Sequence, residues 1–343
     1  MKDAVLAILR EQDTFYSGEV ISNRLGVTRT AVWKAVKRLQ QQGYQIEAIS
    51  NRGYRLVGSP DILSASEIAM MLQRAQLDDY FPRVFYANEI DSTNLMARRA
   101  AEDGAPHGSI FAAGLQTAGR GRRGRSWKSQ ADKDLTFSIL LRPQVEPAAM
   151  SMVTLLAGLC VAKAVNQMLH DNGEISVAEP AGIKWPNDLV MAESGLKIGG
   201  ILTDSMVEDN HVQALIIGMG VNVNTDEFPD DLHHSATSLS CACGQTVNRL
   251  DLLQRILQQF VDRKASLIHM SGVTQPIDWL DDYRRLCLTL GREVRIVAAD
   301  GSWQTGHAID VDSSGELLVE DPQGRRQVIR SGEVSVRGLL GYI

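Results

Sequence analysis

Four arginines separated by three glycines form the segment of this chain best suited to chemistry. Residues 119–125 read Gly-Arg-Gly-Arg-Arg-Gly-Arg and are followed by Ser126 and Trp127. Glycine permits positive φ angles and lets a backbone approach a ligand closely. The segment can therefore offer backbone N–H donors together with guanidinium charge, which suits a phosphate or carboxylate. A solvated basic patch for nucleic acid is the alternative interpretation.

The same glycines match the G-x-G-x-x-G pattern of dinucleotide-binding proteins. That pattern requires a helix with an apolar stripe directly after the glycines. Residues 125–130 read Arg-Ser-Trp-Lys-Ser-Gln and have no such stripe. A Rossmann site is therefore disfavoured, and the chain contains no Walker A sequence.

Three further motifs carry polar side chains or closely spaced glycines. Residues 92–94, Ser-Thr-Asn, lie at a predicted strand-to-helix junction, where they could cap the helix or bind neutral polar groups. Residues 184–188, Lys-Trp-Pro-Asn-Asp, present a carboxylate on a proline turn, and Lys197 begins a glycine-containing strand with room for a ligand. Residues 218–222, Gly-Met-Gly-Val-Asn, suggest a backbone held against a planar ring, or else a strand bulge.

Cysteine and histidine usage gives little support to a metal site. The 343 residues include four cysteines, too few and too scattered for a disulfide framework, which favours a reducing cytoplasm. Cys241 and Cys243, with His233 and His234 nearby, lack the spacing of a zinc site. We therefore expect no metal held by the protein itself.

Length and composition predict a soluble protein of two or three domains. Of the 343 residues, 44% are hydrophobic and 22% are charged, and the net charge is −6. The most apolar window, residues 150–169, contains Lys163 and Asn166 on a helical period. A signal peptide or a membrane span is therefore not expected.

Charge divides the chain into two parts. Residues 1–60 contain nine Lys/Arg and five Asp/Glu, a net charge of +4, which leaves −10 on residues 61–343. A small basic module thus precedes a large acidic one. The Gly-Ser-Pro sequence at residues 58–60 marks the boundary.

The basic module has a helix-turn-helix pattern. Its sequence predicts a helix in residues 1–12, a short helix over 17–25, a turn at Gly26 and a second helix over 28–42. That second helix has one apolar and one basic face, which is typical of a recognition helix in the major groove. The candidate DNA contacts are Ser22, Thr28, Arg29, Thr30, Lys34, Lys37, Arg38 and Arg52.

A two-stranded wing is expected to follow these helices. Residues 44–49 and 54–57 alternate in polarity and flank a turn at 51–53 with a basic tip. The same geometry also serves modules that bind other proteins. The positive charge of residues 1–60 favours DNA.

The acidic part predicts two further domains, over residues 61–288 and 289–343. The first alternates strand and helix patterns, as in a mixed sheet covered by helices. The second has short alternating runs between Gly and Asp turns, which indicate a small all-β barrel. In residues 61–288 we expect strands over 84–86, 109–116, 135–141, 183–185, 189–191, 197–206 and 213–221, and helices over 92–101, 150–170, 249–269 and 277–286.

Together the motifs resemble biotin protein ligases of the bifunctional type that also repress the biotin operon. The resemblance rests on residues 92–94, 116–127, 184–188 and 197–201, which occur in the family's order. Each motif alone is unspecific, whereas the combination is highly specific and spans nearly the whole chain. It implies an α+β multidomain fold with three parts: a winged helix-turn-helix, a central mixed-sheet ligase domain related to class II aminoacyl-tRNA synthetases, and a C-terminal SH3-like β-barrel.

The resemblance also implies a reaction in two steps. The biotin carboxylate attacks the α-phosphate of ATP, which arrives with Mg²⁺, and biotinyl-5′-AMP and pyrophosphate form. A lysine of the biotin carboxyl carrier protein of acetyl-CoA carboxylase then takes the biotinyl group. Biotinyl-5′-AMP would serve as corepressor, with a homodimer of the adenylate-bound form binding operator DNA and no membrane involved.

Site residues follow from the positions that match the family's motifs. The resemblance implies catalytic roles for Lys197, Arg120, Arg122 and Asp188. It implies biotin contacts from Ser92, Thr93, Asn94, Gln116, Arg120, Gly121, Arg122 and Lys197. It implies adenylate or ATP contacts from Arg122, Arg125, Trp127, Lys184, Asn187, Gly218, Gly220, Asn222 and Arg337. The glycine-rich segment is expected to be a flexible lid that closes over the ligands.

Two functions of other kinds remain to be distinguished from this one. A transcription regulator that senses a small molecule without catalysis would not need Lys197, Asp188 and the arginine segment together. A lipoate-type ligase uses a related fold and an acyl-adenylate. The winged helix and the form of the arginine segment disfavour it.

Overall fold

The computed structural model describes residues 1–12, 14–58, 60–143, 150–171, 179–209, 211–264, 278–298 and 300–331, and the backbone of 335–338. The chain forms two compact units, Met1–Ile62 and Leu63–Ile343. The first boundary lies two residues beyond the one that composition suggests.

The first unit contains three helices and a hairpin. Their bounds are α1 (Lys2–Arg10), α2 (Gly18–Leu25), α3 (Arg29–Gln41), β1 (Gln45–Ile49) and β2 (Gly53–Gly58). The side chains of Ser17 and Thr28 cap α2 and α3 by accepting hydrogen bonds from backbone amides, and Gly26 ends α2 at a φ of 63°. The helices and the hairpin bury one shared apolar core. This arrangement confirms the helix-turn-helix and the wing.

The wing is tied to the linker between α1 and α2. Tyr16 and Tyr54 exchange two backbone hydrogen bonds, each of 2.9 Å. Gly53 beside them has a φ of +106°, and a Cβ there would lie 2.0 Å from the carbonyl oxygen of Tyr16. Glycine is therefore required at this turn, which fixes the position of the wing tip.

The second unit is built on a seven-stranded mixed sheet with strand order β3-β4-β5-β9-β8-β7-β6. The pair β3–β4 is parallel and the other pairs are antiparallel. The strands are β3 (Val84–Ile90), β4 (Ser109–Gln116), β5 (Leu135–Leu141), β6 (Ala181–Lys184), β7 (Asp188–Met191), β8 (Lys197–Glu208) and β9 (His211–Val221). The helices are α4 (Ala65–Arg74), α5 (Thr93–Glu102), α6 (Met150–Asp171), α7 (Leu239–Cys243), α8 (Arg249–Asp262) and α9 (Leu280–Leu286).

Helices cover both faces of this sheet. On one face, α5 packs against β4, β5 and β9 in a small cluster that includes Ala97, Phe111 and Ile216. On the other face, α6 and α8 contribute to the main core. Helix α6 is long and apolar enough to cross a membrane by composition, but most of its length is buried inside the protein. Its apolar character is therefore explained by packing.

The C-terminal strands form a five-stranded antiparallel sheet with order β13-β12-β11-β10-β14. Their bounds are β10 (Glu293–Val297), β11 (Trp303–Val311), β12 (Leu317–Glu320), β13 (Arg326–Ile329) and β14 (Ser335–Gly338). The buried side chains of β10 to β13 belong to the same apolar cluster as those of α6. Trp185 adds two hydrogen bonds, from its backbone N to Thr289 Oγ1 at 2.9 Å and from Nε1 to the Gly315 carbonyl at 3.1 Å. This sheet and the central sheet therefore form one compact unit.

Some element boundaries differ from those expected. Strand β6 ends at Lys184, one residue before the expected end at Trp185. Helix α8 ends at Asp262, and residues 265–269 of its expected range lie outside the described part of the chain. Helix α4 was not expected, although Ser64 caps it by accepting from the amide of Glu67 at 3.2 Å.

Replacing Leu156 by Ala should destabilise the second unit. Leu156 is fully buried in the core between α6 and the sheet. Removing a buried isobutyl group leaves a cavity and costs about 2–5 kcal/mol of unfolding free energy. Urea denaturation of the second unit measures the change, with Val328→Ala at a side chain that is 55% exposed as the control. A loss no larger than that of the control would contradict this packing.

Candidate functional site

A cavity of about 1090 Å³ brings the four sequence motifs together. Its walls come from the start of α5, the segment between β4 and β5, the turn between β6 and β7, and strands β8 and β9. The expected site residues that line it are Ser92, Thr93, Asn94, Gln116, Arg120, Gly121, Arg122, Arg125, Trp127, Lys184, Asn187, Asp188, Lys197, Gly218, Gly220 and Asn222.

A network of neutral polar groups forms one end of the cavity. Gln116 Oε1 accepts from Thr93 N at 2.8 Å and from Thr93 Oγ1 at 3.2 Å. Ser138 Oγ on β5 lies 2.8 Å from Thr93 Oγ1 and 2.7 Å from Asn94 Oδ1. Ser92 is the N-cap residue of α5 but makes no side-chain capping bond. These side chains are therefore organised by one another, and Ser138 is a member that the motifs did not reveal.

Asn94 explains why a glycine stands at position 218. The Asn94 amide donates to the Leu202 carbonyl at 3.1 Å. A Cβ on Gly218 would lie 1.9 Å from Asn94 Oδ1. Because side chain and strand approach this closely, the polar end has no room for a larger residue at position 218.

The arginine segment, residues 119–127, forms a closed hairpin between β4 and β5. The Trp127 amide donates to the Gly119 carbonyl at 2.9 Å, and the Gly121 amide donates to the Arg125 carbonyl at 2.7 Å. Gly124 has a φ of +74°, and Arg123 takes the left-handed region at 58°. Gly119 has a different role, which is to let two backbone segments approach closely. A Cβ at this position would lie 2.6 Å from the Trp127 carbonyl oxygen. The glycines thus allow one tight turn and one backbone contact, and no Rossmann helix follows.

Arg122 is the arginine of this hairpin that turns inward. Its Nη1 donates to Asn187 Oδ1 at 3.0 Å, and its Nη2 donates to the Ser331 carbonyl. Burial lowers the pKa of Arg122, and the charge of Asp188 acts in the opposite direction. A guanidinium nevertheless stays protonated in proteins. The side chain therefore brings a permanent positive charge to the cavity, whereas Arg120 and Arg125 are exposed at its rim.

Lys197 and Asp188 form an ion pair beside Arg122. Lys197 Nζ lies 2.6 Å from Asp188 Oδ1 and 5.8 Å from the ring centroid of Trp127. Asn187 Nδ2 donates to the Ile201 carbonyl at 3.0 Å, which fixes the turn that carries Asp188. Two cations and one carboxylate thus share one wall. This arrangement can neutralise negative charge that develops on a phosphoryl or carboxyl group.

Trp127 packs on Gly220 of β9. A Cβ on Gly220 would lie 2.6 Å from Trp127 Cε2. The closely spaced glycines suggested a backbone held against a planar ring. At Gly220 that ring is the indole of Trp127. The contact also joins the end of the arginine hairpin to the central sheet.

Arg337 has a backbone position opposite Arg295 in the pair of β10 and β14. Its side chain lies outside the described part of the chain, so its expected contact stays a prediction. Among the residues that the structure describes, no cluster of three or more His, Cys, Asp or Glu side chains is arranged to hold a metal ion.

The expected DNA contacts lie on the exposed face of α3 and at the wing, with one exception. Ser22 is 5% exposed, and its Oγ donates to the Glu19 carbonyl at 2.9 Å. Its hydroxyl therefore bonds within α2, and the expected DNA contact of Ser22 stays a prediction. Those at exposed positions are Thr28, Arg29, Thr30, Lys34, Lys37, Arg38 and Arg52.

Two aromatic residues near these cations were missed. Trp33 is 50% exposed in the middle of the basic face of α3. The guanidinium groups of Arg52 and Arg55 lie over the ring of Phe15, with their Cζ atoms 4.6 and 5.0 Å from the ring centroid. Such stacking holds the cations in place, and Arg55 is also paired with Glu47 at 2.9 Å. Neither residue belongs to a spacing pattern that sequence reasoning recognises.

Comparison with known proteins gives a consistent picture along the chain. Residues 86–222 match the model of the Biotin/lipoate A/B protein ligase family. An HTH domain model matches residues 2–55, and the model of the biotin protein ligase C-terminal domain matches residues 289–337. A curated relative, the bifunctional ligase/repressor BirA of Bacillus spizizenii, is 36% identical over 95% of this chain and 96% of its own length. The chain belongs to the biotin protein ligase family.

Solved structures of this family agree with the fold. The biotin protein ligase of Aquifex aeolicus in complex with biotin and ATP is 29% identical, with a TM-score of 0.59, and covers 75% of this chain and 100% of its own. A mutant of that ligase in complex with biotin is 28% identical, with a TM-score of 0.62, and covers 75% of this chain and 99% of its own.

Replacing Gly220 by Ala should displace Trp127 and loosen the arginine hairpin. The added methyl group would overlap the indole, which then cannot stay between β9 and Lys197. Limited trypsin digestion should cut the hairpin several-fold faster than in the unmodified protein. Gly200→Ala on the neighbouring strand is the matched control, because its Cβ would lie no closer than 3.4 Å to any neighbouring atom, an ordinary van der Waals contact. Equal cleavage rates in the two variants would contradict the role of this contact.

Proposed function

We propose that this protein is an ATP-dependent biotin protein ligase that also represses transcription by binding DNA. The observation that carries the ligase activity is the wall formed by Arg122, Lys197 and Asp188 next to a neutral polar end, in a chain of the biotin ligase family. The HTH domain at residues 2–55 supports the second activity.

The polar end of the cavity suits the ureido group of biotin. A ureido group offers two N–H donors and one carbonyl acceptor, which hydroxyl and amide side chains can satisfy without charge. Ser92, Thr93, Asn94 and Gln116 would form these contacts, and Ser138 would hold two of them in place. The carboxylate at the other end of biotin would then lie towards Arg122 and Lys197, with Arg120 and Gly121 above it.

In the first step an oxygen of the biotin carboxylate attacks the α-phosphorus of MgATP, and the bond to pyrophosphate breaks. Catalysis of such a transfer depends on positioning and on neutralising charge at the phosphoryl oxygens. Lys197 and Arg122 would supply that charge. Lys184, Asn187, Gly218, Gly220 and Asn222 would border the adenylate, with Arg125, Trp127 and Arg337 on its outer side.

In the second step the amine of a lysine on the biotin carboxyl carrier protein attacks the acyl carbon, and AMP leaves with the bonding electron pair. The attacking amine must lose a proton. Asp188, paired with Lys197 at 2.6 Å, is the carboxylate placed to accept or orient it.

The arginine hairpin would act as a lid over these reactants. Closure excludes water, which protects a mixed anhydride from hydrolysis. We infer that the adenylate-bound form dimerises by pairing sheet edges and presents two winged helices to two operator half-sites. Biotinyl-5′-AMP would then be both intermediate and corepressor.

The finer classification and location are part of the same proposal. We infer that the central domain is related to class II aminoacyl-tRNA synthetases and that the C-terminal sheet is an SH3-like barrel. A cytoplasmic location accords with a repressor whose four cysteines are unpaired.

Pyrophosphate exchange into ATP tests the ligase activity directly. We expect exchange with biotin and none with lipoate or octanoate. Exchange with lipoate instead would identify a lipoate-type ligase. No exchange with any acid, while the protein still binds biotin, would identify a sensor without catalysis.

Lys197→Ala should lower the exchange rate about 10- to 150-fold. The change removes a charge-assisted contact worth about 1.5–3 kcal/mol in the transition state. Lys128→Ala is the control, since Lys128 also lines the cavity but pairs with the exposed Asp231 at 3.4 Å. An unchanged rate in Lys197→Ala would rule out the assigned role.

Removal of residues 1–60 should abolish operator binding and leave exchange activity in place, because the two compact units have separate cores.

In the full-length protein, operator affinity should fall steeply with salt, as expected when several Lys and Arg side chains neutralise phosphates. Fluorescence anisotropy at about 50 to 200 mM salt measures this. A flat dependence would favour a protein-interaction module.

A further inference from the structure

One buried carboxylate joins two walls of the cavity. Asp134, directly before β5, is 2% exposed. Its Oδ2 accepts from Gln130 N at 3.0 Å, and its Oδ1 accepts from Thr225 Oγ1 at 2.6 Å and Val223 N at 3.3 Å. Because Oδ2 and Oδ1 bind donors on different segments, each segment depends on its own oxygen.

The two segments border the cavity from different directions. Gln130 belongs to the stretch that leads from the arginine hairpin into β5, and Thr225 lies just after β9 and Asn222. Both Gln130 and Thr225 line the cavity, as does Asp134 itself. The carboxylate therefore fixes the spacing between the base of the hairpin and the wall that would border the adenylate.

One backbone hydrogen bond, from Asn224 N to the Lys133 carbonyl at 2.9 Å, also joins these segments, and their other side-chain contacts are weaker supports. Lys133 Nζ pairs with Asp226 Oδ2 at 2.7 Å, but both side chains are well exposed. Gln130 Nε2 donates to the Glu227 carbonyl at 2.7 Å, also at an exposed site. Exposed pairs contribute little, whereas a buried and fully bonded carboxylate is strong because water does not compete.

The pKa of the buried Asp134 carboxyl is raised above its ordinary value, and Arg249 is one of the groups that oppose this shift. Arg249 is 1% exposed, and its Nη1 donates to the backbone carbonyl of Asp134 at 3.4 Å. Burial raises the pKa of Asp134, while the three donated hydrogen bonds and the charge of Arg249 lower it. A buried charge of this kind is retained when donors and a counter-charge surround it.

We propose that Asp134 is a positioning residue that couples the arginine hairpin to the segment 222–227, so that both walls hold the adenylated intermediate as one unit. The inference rests on the proposed ligase function. Asp134 is 2% exposed and acts through Gln130 and Thr225.

Asp134→Asn is a selective test because it preserves shape. An asparagine can keep one oxygen towards Thr225 and Val223, but its NH₂ then faces the amide of Gln130, and a donor meets a donor. We expect the KM for ATP and for biotin in pyrophosphate exchange to rise roughly tenfold, with a smaller change in kcat. Trypsin should also cut the hairpin faster.

Thr225→Val removes the donor on the other segment without changing its size. If both side chains act through one coupling, the double variant should have KM values no higher than those of the more affected single variant. Multiplied effects would mean that the two bonds act independently and would overturn the proposal.

Thr136→Val is the matched control for loss of a buried hydroxyl. Thr136 lies on β5, is 1% exposed, and donates to the Ala113 carbonyl at 3.2 Å outside the cavity. The Thr136→Val variant should have a lower melting temperature but unchanged KM values and an unchanged rate of hairpin cleavage. If Asp134→Asn changes only the melting temperature, as this control does, Asp134 is merely structural.

The cleavage measurement separates this proposal from the proposed function. It requires no ligand, so it reports on the hairpin even if the protein shows no exchange with biotin. Unchanged cleavage in Asp134→Asn would overturn the coupling whatever the enzyme activity. Faster cleavage of Asp134→Asn, together with no exchange activity in the unmodified protein, would support the coupling and contradict the ligase assignment.

Discussion

The candidate site depends on holding Arg122 and Lys197 close together inside a partly buried cavity. Two cations at such a place repel each other and lose hydration, so each needs an acceptor. Asp188 pairs with Lys197, while Asn187 Oδ1 and a carbonyl of the C-terminal sheet region accept from Arg122. An anionic substrate can then meet charges that are already in position, which is the condition for electrostatic stabilisation of a transition state.

This requirement explains why the C-terminal sheet shares a core with the ligase sheet. The turn that carries Asn187 and Asp188 is bonded through Trp185 to Thr289 and Gly315. The backbone carbonyl of Ser331, in the same C-terminal sheet region, accepts a hydrogen bond from Arg122. The C-terminal sheet is thus part of the support of the site, although its sequence reads as a separate small domain.

Glycines and small polar groups set the shape of the cavity around these charges. Gly218 leaves room for Asn94, Gly220 leaves room for Trp127, and Gly119 lets the arginine hairpin close on itself. In the first unit Gly53 lets the wing approach the backbone of Tyr16. In each case the constraint is a distance to a group outside the glycine's immediate neighbours, which the adjacent residues do not reveal.

The sequence by itself determined the order of elements, the division into a basic and an acidic part, and the motifs that line the cavity, because periodicity, charge and spacing are local properties. Only the tertiary structure decided which arginine turns inward, that the Ser22 hydroxyl is buried and bonded within α2, and that Ser138, Asp134 and Thr225 form hydrogen bonds around the cavity. Those outcomes depend on burial and on hydrogen bonds between distant segments. The arginine segment therefore indicated a site for anionic groups, and contacts with the β6–β7 turn and the C-terminal sheet region decided that Arg122 is the arginine that turns into the cavity.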